Sequence, residues 1–66
     1  MKPEVGQIWM SVNGKSKYRV SKHMPAGYWT EKETWLFDVW YNERWQEPDS
    51  LPEDEEYINK HYQFVE

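Results

Sequence analysis

The sequence predicts a mainly β fold with one short helix. Four or five short antiparallel strands close into a small barrel or form a strongly bent sheet, and the helix precedes the last strand. Three observations predict this. Apolar and polar residues alternate through Lys17–Met24, and Thr34–Tyr41 is rich in β-branched and aromatic residues. Asn13-Gly14, Pro25-Ala26-Gly27 and Asn42-Glu43 break the chain between those stretches. Helical spacing appears only near the end, at Leu51, Glu55, Ile58 and Tyr62.

Taken in order, Met1–Glu4 is a lead-in, with Pro3 unsuited to a central strand. Val5–Val12 reads as the first strand. One of its faces holds Val5, Gln7, Trp9 and Ser11; the other holds Gly6, Ile8, Met10 and Val12 and is the more apolar. Asn13-Gly14 is a strong hairpin signal, because both residues tolerate positive φ. Lys17–Met24 is the second strand. Strict alternation points Tyr18, Val20 and Met24 one way and Lys17, Arg19, Ser21 and His23 the other. After Pro25-Ala26-Gly27, Thr34–Tyr41 forms the third strand. Trp35, Phe37, Val39 and Tyr41 make its core face; Thr34, Leu36, Asp38 and Trp40 share the opposite face. Asn42-Glu43 turns the chain into a fourth strand, Arg44–Gln46, which Pro48 ends. Ser50 and Glu53 have capping-box spacing, so a helix is expected to start there, with Glu53–Glu56 at the positive end of its dipole. The closing Tyr62–Glu66 is a short strand able to pair back with the first.

The length bounds the answer. Sixty-six residues form a single small domain, 1–66. A chain this short buries only about 60% of its unfolded surface. Phe, Trp and Tyr supply 12 residues, five of them Trp. A few rings can replace many aliphatics, because each aromatic buries about 150–250 Å². The absence of cysteine removes disulfides, thiolate nucleophiles and zinc–thiolate sites, and fits a reducing compartment. Apolar runs are too short for a membrane span or a signal peptide. The expectation is a soluble cytoplasmic protein that does not engage a membrane.

The pattern of strands and turns resembles small SH3-like β-barrel proteins of bacteria and bacteriophages. "VGQIW", the "NGKSKYRV" hairpin, the aromatic third strand, "RW" and the turn into "YQFVE" carry the resemblance. It implies a small barrel and a binding or accessory role, and it transfers no functional residue.

The chemistry of an enzyme finds no motif. The chain lacks a phosphate-binding loop, a dinucleotide-binding glycine pattern and HExxH. No serine is spaced to work with His23 or His61. The acids of 49–56 lack the glycine and ligand spacing of a calcium loop. Catalytic residues, metal ligands and cofactors are therefore expected to be none.

Charge is divided. Residues 1–32 carry six Lys or Arg and two Glu; residues 33–66 carry two Lys or Arg and ten Asp or Glu, within a net charge of −4. The first reading is a non-enzymatic protein-binding module, of the kind a phage encodes to inhibit or modulate a host protein in the host cytoplasm. Glu47, Asp49, Glu53, Asp54, Glu55 and Glu56 would face a basic partner surface, with Trp40, Trp29 and Trp45 as aromatic anchors. A small core cannot enclose all five indoles, so Trp40 and one of Trp29 or Trp45 are expected to be exposed. The chain would act as a monomer or a homodimer. The alternative is a nucleic-acid-binding accessory protein using Lys15, Lys17, Arg19, Lys22 and His23 on the first hairpin. The excess of acids opposes that reading, because phosphate attraction supplies most such affinity.

Overall fold

The structure is a computed structural model that describes residues 1–47 and 51–66. Its strands are β1 (Ile8–Ser11), β2 (Lys17–Met24), β3 (Thr34–Tyr41), β4 (Arg44–Gln46), β5 (Glu53–Asp54) and β6 (Tyr62–Phe64). The helix α1 spans Glu55–His61, between β5 and β6. One antiparallel sheet runs β4-β3-β2-β1-β6, and β5 pairs with β3. The described residues hold no helix long and apolar enough to cross a membrane.

The expected barrel is not closed. β4 and β6 end the strand path at opposite sides and do not pair with each other. Each is three residues long, and short end strands give little backbone with which to close a ring. The predicted return of the last strand does occur: Trp9, Met10 and Ser11 pair with Phe64, Gln63 and Tyr62.

The main core cluster lies on one face of the sheet, and Met24 and Thr34, a cross-strand pair of the other parity, are buried as well. Trp9, Val20, Trp35, Phe37 and Ile58 are buried, and Tyr18 and Tyr62 pack against them. Phe37 and Tyr62 rings sit 5.2 Å apart and tilted, while Tyr18 and Tyr62 meet edge to face at 5.0 Å. Ile58, fully buried, is the apolar contact that docks α1; burying such a side chain stabilises by about 1.5–3 kcal/mol.

The inward face of β1 differs from the apolar count. Trp9 is buried, while Ile8 and Met10 are half-buried and Val12 is exposed. One indole outweighs two aliphatics in apolar area. Its polar atom is also satisfied, since Trp9 Nε1–H donates to Gln7 Oε1 at 3.2 Å. The strand itself starts at Ile8, because Val5 and Gly6 form a turn and Gly6 has φ 96°. On β3, Trp35 and Phe37 are buried, but Val39 is only half-buried and Tyr41 exposed, since the strand outruns the core.

β2 does not keep strict alternation. The β2–β3 register shifts between Val20 and Lys22, leaving Ser21 as an extra residue. Beyond it, His23 stands opposite Trp35 and Met24 opposite Thr34. His23 therefore shares a face with Trp35, their rings 5.2 Å apart. Met24 moves off the face of Tyr18 and Val20.

The helix also starts later than expected. Glu53 and Asp54 are extended and pair with Trp35 and Thr34, and Asp54 is the N-cap, accepting from the Tyr57 N–H at 2.8 Å. Pairing along β3 satisfies backbone groups that an earlier helix would leave open. Only Glu55 and Glu56 stand in the first turn. Leu51 lies outside the helix, exposed. Pro48 as strand end, Ser50 as cap and Asp49 as an acidic contact fall outside the described residues.

Candidate functional site: a paired-tryptophan face

The sheet's second face carries an aromatic and basic cluster. The parity of β3 builds it: Trp35 and Phe37 point inward, so Asp38 and Trp40 point outward. Asn42 and Glu43, both at positive φ (52° and 61°), make the tight turn into β4. The turn sets the register that places Trp45 opposite Trp40. Their ring centroids are 5.1 Å apart, edge to face. Trp40 remains 41% exposed and Trp45 half-buried.

β2 adds two cations to the same face. Lys17 Nζ lies 5.6 Å from the Trp40 ring centre and 5.9 Å from that of Trp45. The Arg19 guanidinium lies 4.7 Å over Trp45 and donates to Asp38 Oδ2 at 3.1 Å. All three cation–ring distances suit cation–π attraction. β1 extends the face, because Met10 pairs with Lys17, and Ile8 with Arg19. The result is a cluster of two indoles and two cations bordered by half-buried aliphatics.

Of the acids that the sequence grouped with these indoles, Glu53, Asp54, Glu55 and Glu56 lie elsewhere. Glu53 and Asp54 pair at the Thr34–Trp35 end of β3. That is five residues from Trp40, roughly 17 Å at about 3.4 Å per residue. Asp54, Glu55 and Glu56 help line an open cleft of about 600 Å³, with Lys32, Glu33 and Trp35. Lys32 Nζ is 3.9 Å from Asp54 Oδ2. Partial burial, then the Asp54 charge, raises the Glu53 carboxyl above its usual range. Trp29, 52% exposed, belongs to the loop between β2 and β3. Glu47 follows β4, exposed.

The cations of the first hairpin also divide. Lys15 sits in the β1–β2 turn, its N–H held by Asn13 Oδ1 at 2.9 Å. Lys22 pairs with Leu36, so it stays on the outer face with Arg19, exposed and beyond the bulge. The bulge turns His23 away from Lys17 and Arg19, and His23 Nε2 lies 2.8 Å from Glu33 Oε2. Lys2 Nζ takes the other oxygen of Glu33 at 3.0 Å. Those two partners, Lys2 first, hold the Glu33 carboxyl below the usual carboxylate range.

Sequence reasoning missed Gln7, the partner of the buried indole, and Glu33, shared by two cations. Gln7 sits two residues before Trp9 on a strand, so period-2 spacing offers a signal for it. Glu33 has none, because its partners come from residues distant in sequence. Among the described residues no group of three or more His, Asp and Glu is arranged to hold a metal. Comparison with protein-family models, with curated proteins and with solved structures finds no match.

Proposed function

We propose that the chain is a non-enzymatic binding module that docks a protein partner through the outer face of its sheet, with Trp40 and Trp45 as the anchor. The observation that carries this is the indole pair on the face opposite the main core cluster, with Trp40 exposed and Trp45 half-buried. Exposed Trp is the residue type most enriched among residues that dominate binding energy. The resemblance to SH3-like modules supports the same class of role. In that role the chain inhibits or modulates a host protein by occupying its surface, as a small phage-encoded protein would. Glu53, Asp54, Glu55 and Glu56 form a separate acidic end that speeds encounter with a basic patch.

A second reading is single-stranded nucleic acid. One observation favours it: Lys17 and Arg19 stand on the indoles themselves, the pairing of cation and stacking surface that such platforms use. Salt separates the two, because phosphate binding weakens steeply and linearly in log salt.

Affinity capture from bacterial lysate, with and without nuclease, tests the proposal. The same protein should be retained after nuclease treatment by the wild type and lost with Trp40→Ala. Glu55→Lys with Glu56→Lys should slow its association and leave the Trp40 dependence intact. Retention that disappears with nuclease would transfer the reading to nucleic acid. Retention unaffected by Trp40→Ala would remove this face from the function.

A further inference from the structure

Residues Met1–Pro3 lie against the sheet without joining it. They belong to no strand, and among the described residues they make no backbone–backbone hydrogen bond. Pro3 is fully buried, while Lys2 and Glu4 on either side of it are exposed. Two side chains hold the segment down. Lys2 Nζ meets Glu33 Oε1 at 3.0 Å. Asn59 Nδ2–H donates to the Met1 carbonyl at 2.6 Å, and Asn59 Oδ1 accepts from the Met1 nitrogen at 2.9 Å. Backbone anchoring starts at Glu4, whose N–H donates to Gln7 Oε1 at 2.9 Å and whose carbonyl accepts from the Gln7 N–H at 3.1 Å. Proline fixes its own φ and keeps the residue before it extended, so Lys2-Pro3 moves as a stiff unit on that base. Two open clefts meet the segment. One, of about 600 Å³, reaches Met1; the other, of about 290 Å³, reaches Lys2 and Pro3. Glu33 and Trp35 line both.

We infer that Met1–Pro3 is a detachable strap: Pro3 plugs the cleft at Trp35, Lys2 latches it on Glu33, and the strap lifts while the sheet stays folded. A segment held by side chains, with burial confined to one residue, opens at far less cost than the strands beneath it. Because the two clefts share Glu33 and Trp35, lifting the strap joins them into one groove. The strap is then an autoinhibitory contact, and its own chemistry shows what the groove accepts: a cation on Glu33 beside an apolar side chain at the Pro3 position. Charge sharpens this. Glu33, Asp54, Glu55 and Glu56 line the larger cleft, and Lys32 is the one lysine or arginine among the described lining residues, 3.9 Å from Asp54. His23, on the Pro3 side, is 2.8 Å from Glu33. Lys60 and His61 meet Asp54 and Glu56 in a neighbouring hollow that Glu33 does not line. The segment that replaces the strap is therefore basic: one cation takes the place of Lys2, and a second meets Glu55 and Glu56, which Lys2 leaves unpaired among the described residues. This goes beyond the docking role of the outer face, and its failure leaves that role untouched.

The test follows the Asn59 side-chain amide, the His23 ring and the indole Nε1–H signals by NMR in the full chain. The probes are two blocked peptides: MKPEV, the strap's own sequence, and MKPKV. In Pro3→Gly the Asn59, His23 and Trp35 signals should move while those of Trp9, Trp40 and Trp45 stay. Either peptide should return the moved signals towards their wild-type positions. Wild type should bind both peptides at least tenfold more weakly than Pro3→Gly, because the strap competes. MKPKV should bind at least threefold more tightly than MKPEV, and adding Glu33→Gln to Pro3→Gly should weaken both at least tenfold. Unmoved signals in Pro3→Gly, or equal peptide affinity for wild type and Pro3→Gly, overturn the strap. MKPKV binding no more tightly than MKPEV overturns the basic occupant. If Pro3→Gly does not fold, Lys2→Met decides, since it removes the latch and spares the plug. It should move the Asn59 and His23 signals with the other indoles in place and strengthen peptide binding over wild type; unchanged signals and affinity make residues 1–3 a fixed part of the core and overturn the inference.

Discussion

Trp35 and Trp40 lie on the same strand, five residues apart, and they do opposite things. Trp35 is 2% exposed on the inner face, in the same buried cluster as Ile58 and against His23. Trp40 is on the outer face, paired with Trp45 and approached by Lys17. An odd spacing on a strand is enough to separate them. The comparison teaches that aromatic content alone does not measure a core. Here the core cluster takes in Trp9 and Trp35, while the outer indoles meet each other, Lys17 and Arg19.

Substitutions on the inner face sharpen this contrast most. Trp35→Ala should cost about 3–5 kcal/mol, enough to unfold a chain whose whole margin is small. Urea denaturation followed by circular dichroism checks it, and Ile58→Ala should lie at the lower end of about 2–5 kcal/mol.

The next largest effect appears with alkali. Burial, and then the neighbouring Tyr18, Tyr57 and Glu53, push the Tyr62 phenol up from 10.0 to about 12. The folded state thus holds this proton more tightly than the unfolded chain. Stability is full below pH 10 and falls as pH rises from 10.0 to about 12. Tyr62→Phe should flatten that part of the pH–stability curve, and an unchanged slope would place its cause in another group.

Smaller effects come from the elements that frame the two faces. Asp54→Ala removes the cap of α1 and should cost about 1 kcal/mol, with Asp54→Asn recovering most of it. Glu43 holds φ 61° in the turn that aligns Trp45 with Trp40. Glu43→Gly should relieve that conformation and raise stability by up to about 1 kcal/mol, read as an increase in Tm.

Much of the sheet was legible because local chemistry and tertiary structure agree. Lys17–Met24, Thr34–Tyr41 and Arg44–Gln46 have the expected bounds, and Asn42-Glu43 forms the expected turn. The failures have a common origin in non-local pairing. The bulge at Ser21 exists because β2 follows β3, and no residue at 20–22 signals it. Glu53 and Asp54 look like a helix start until the free edge of β3 is known. Asp54 is a good cap by residue type, and the strand pairing of Glu53 and Asp54 is what starts α1 after it. At the candidate site, the exposure of Trp40 could be read from its strand parity. Its neighbours could not. The sequence placed the indoles with the acids of 47–56, whereas cross-strand register brings Lys17 and Arg19 to them.

The central claim is that the Trp40–Trp45 pair serves recognition and not the core. The most direct measurement takes Trp40→Ala through urea denaturation and partner capture in parallel. The account predicts a loss of at most about 1.5 kcal/mol, the worth of an aromatic pair, together with loss of the captured protein. A loss of 3 kcal/mol or more, about that of a core Trp, with capture unchanged in the molecules that remain folded, would contradict it.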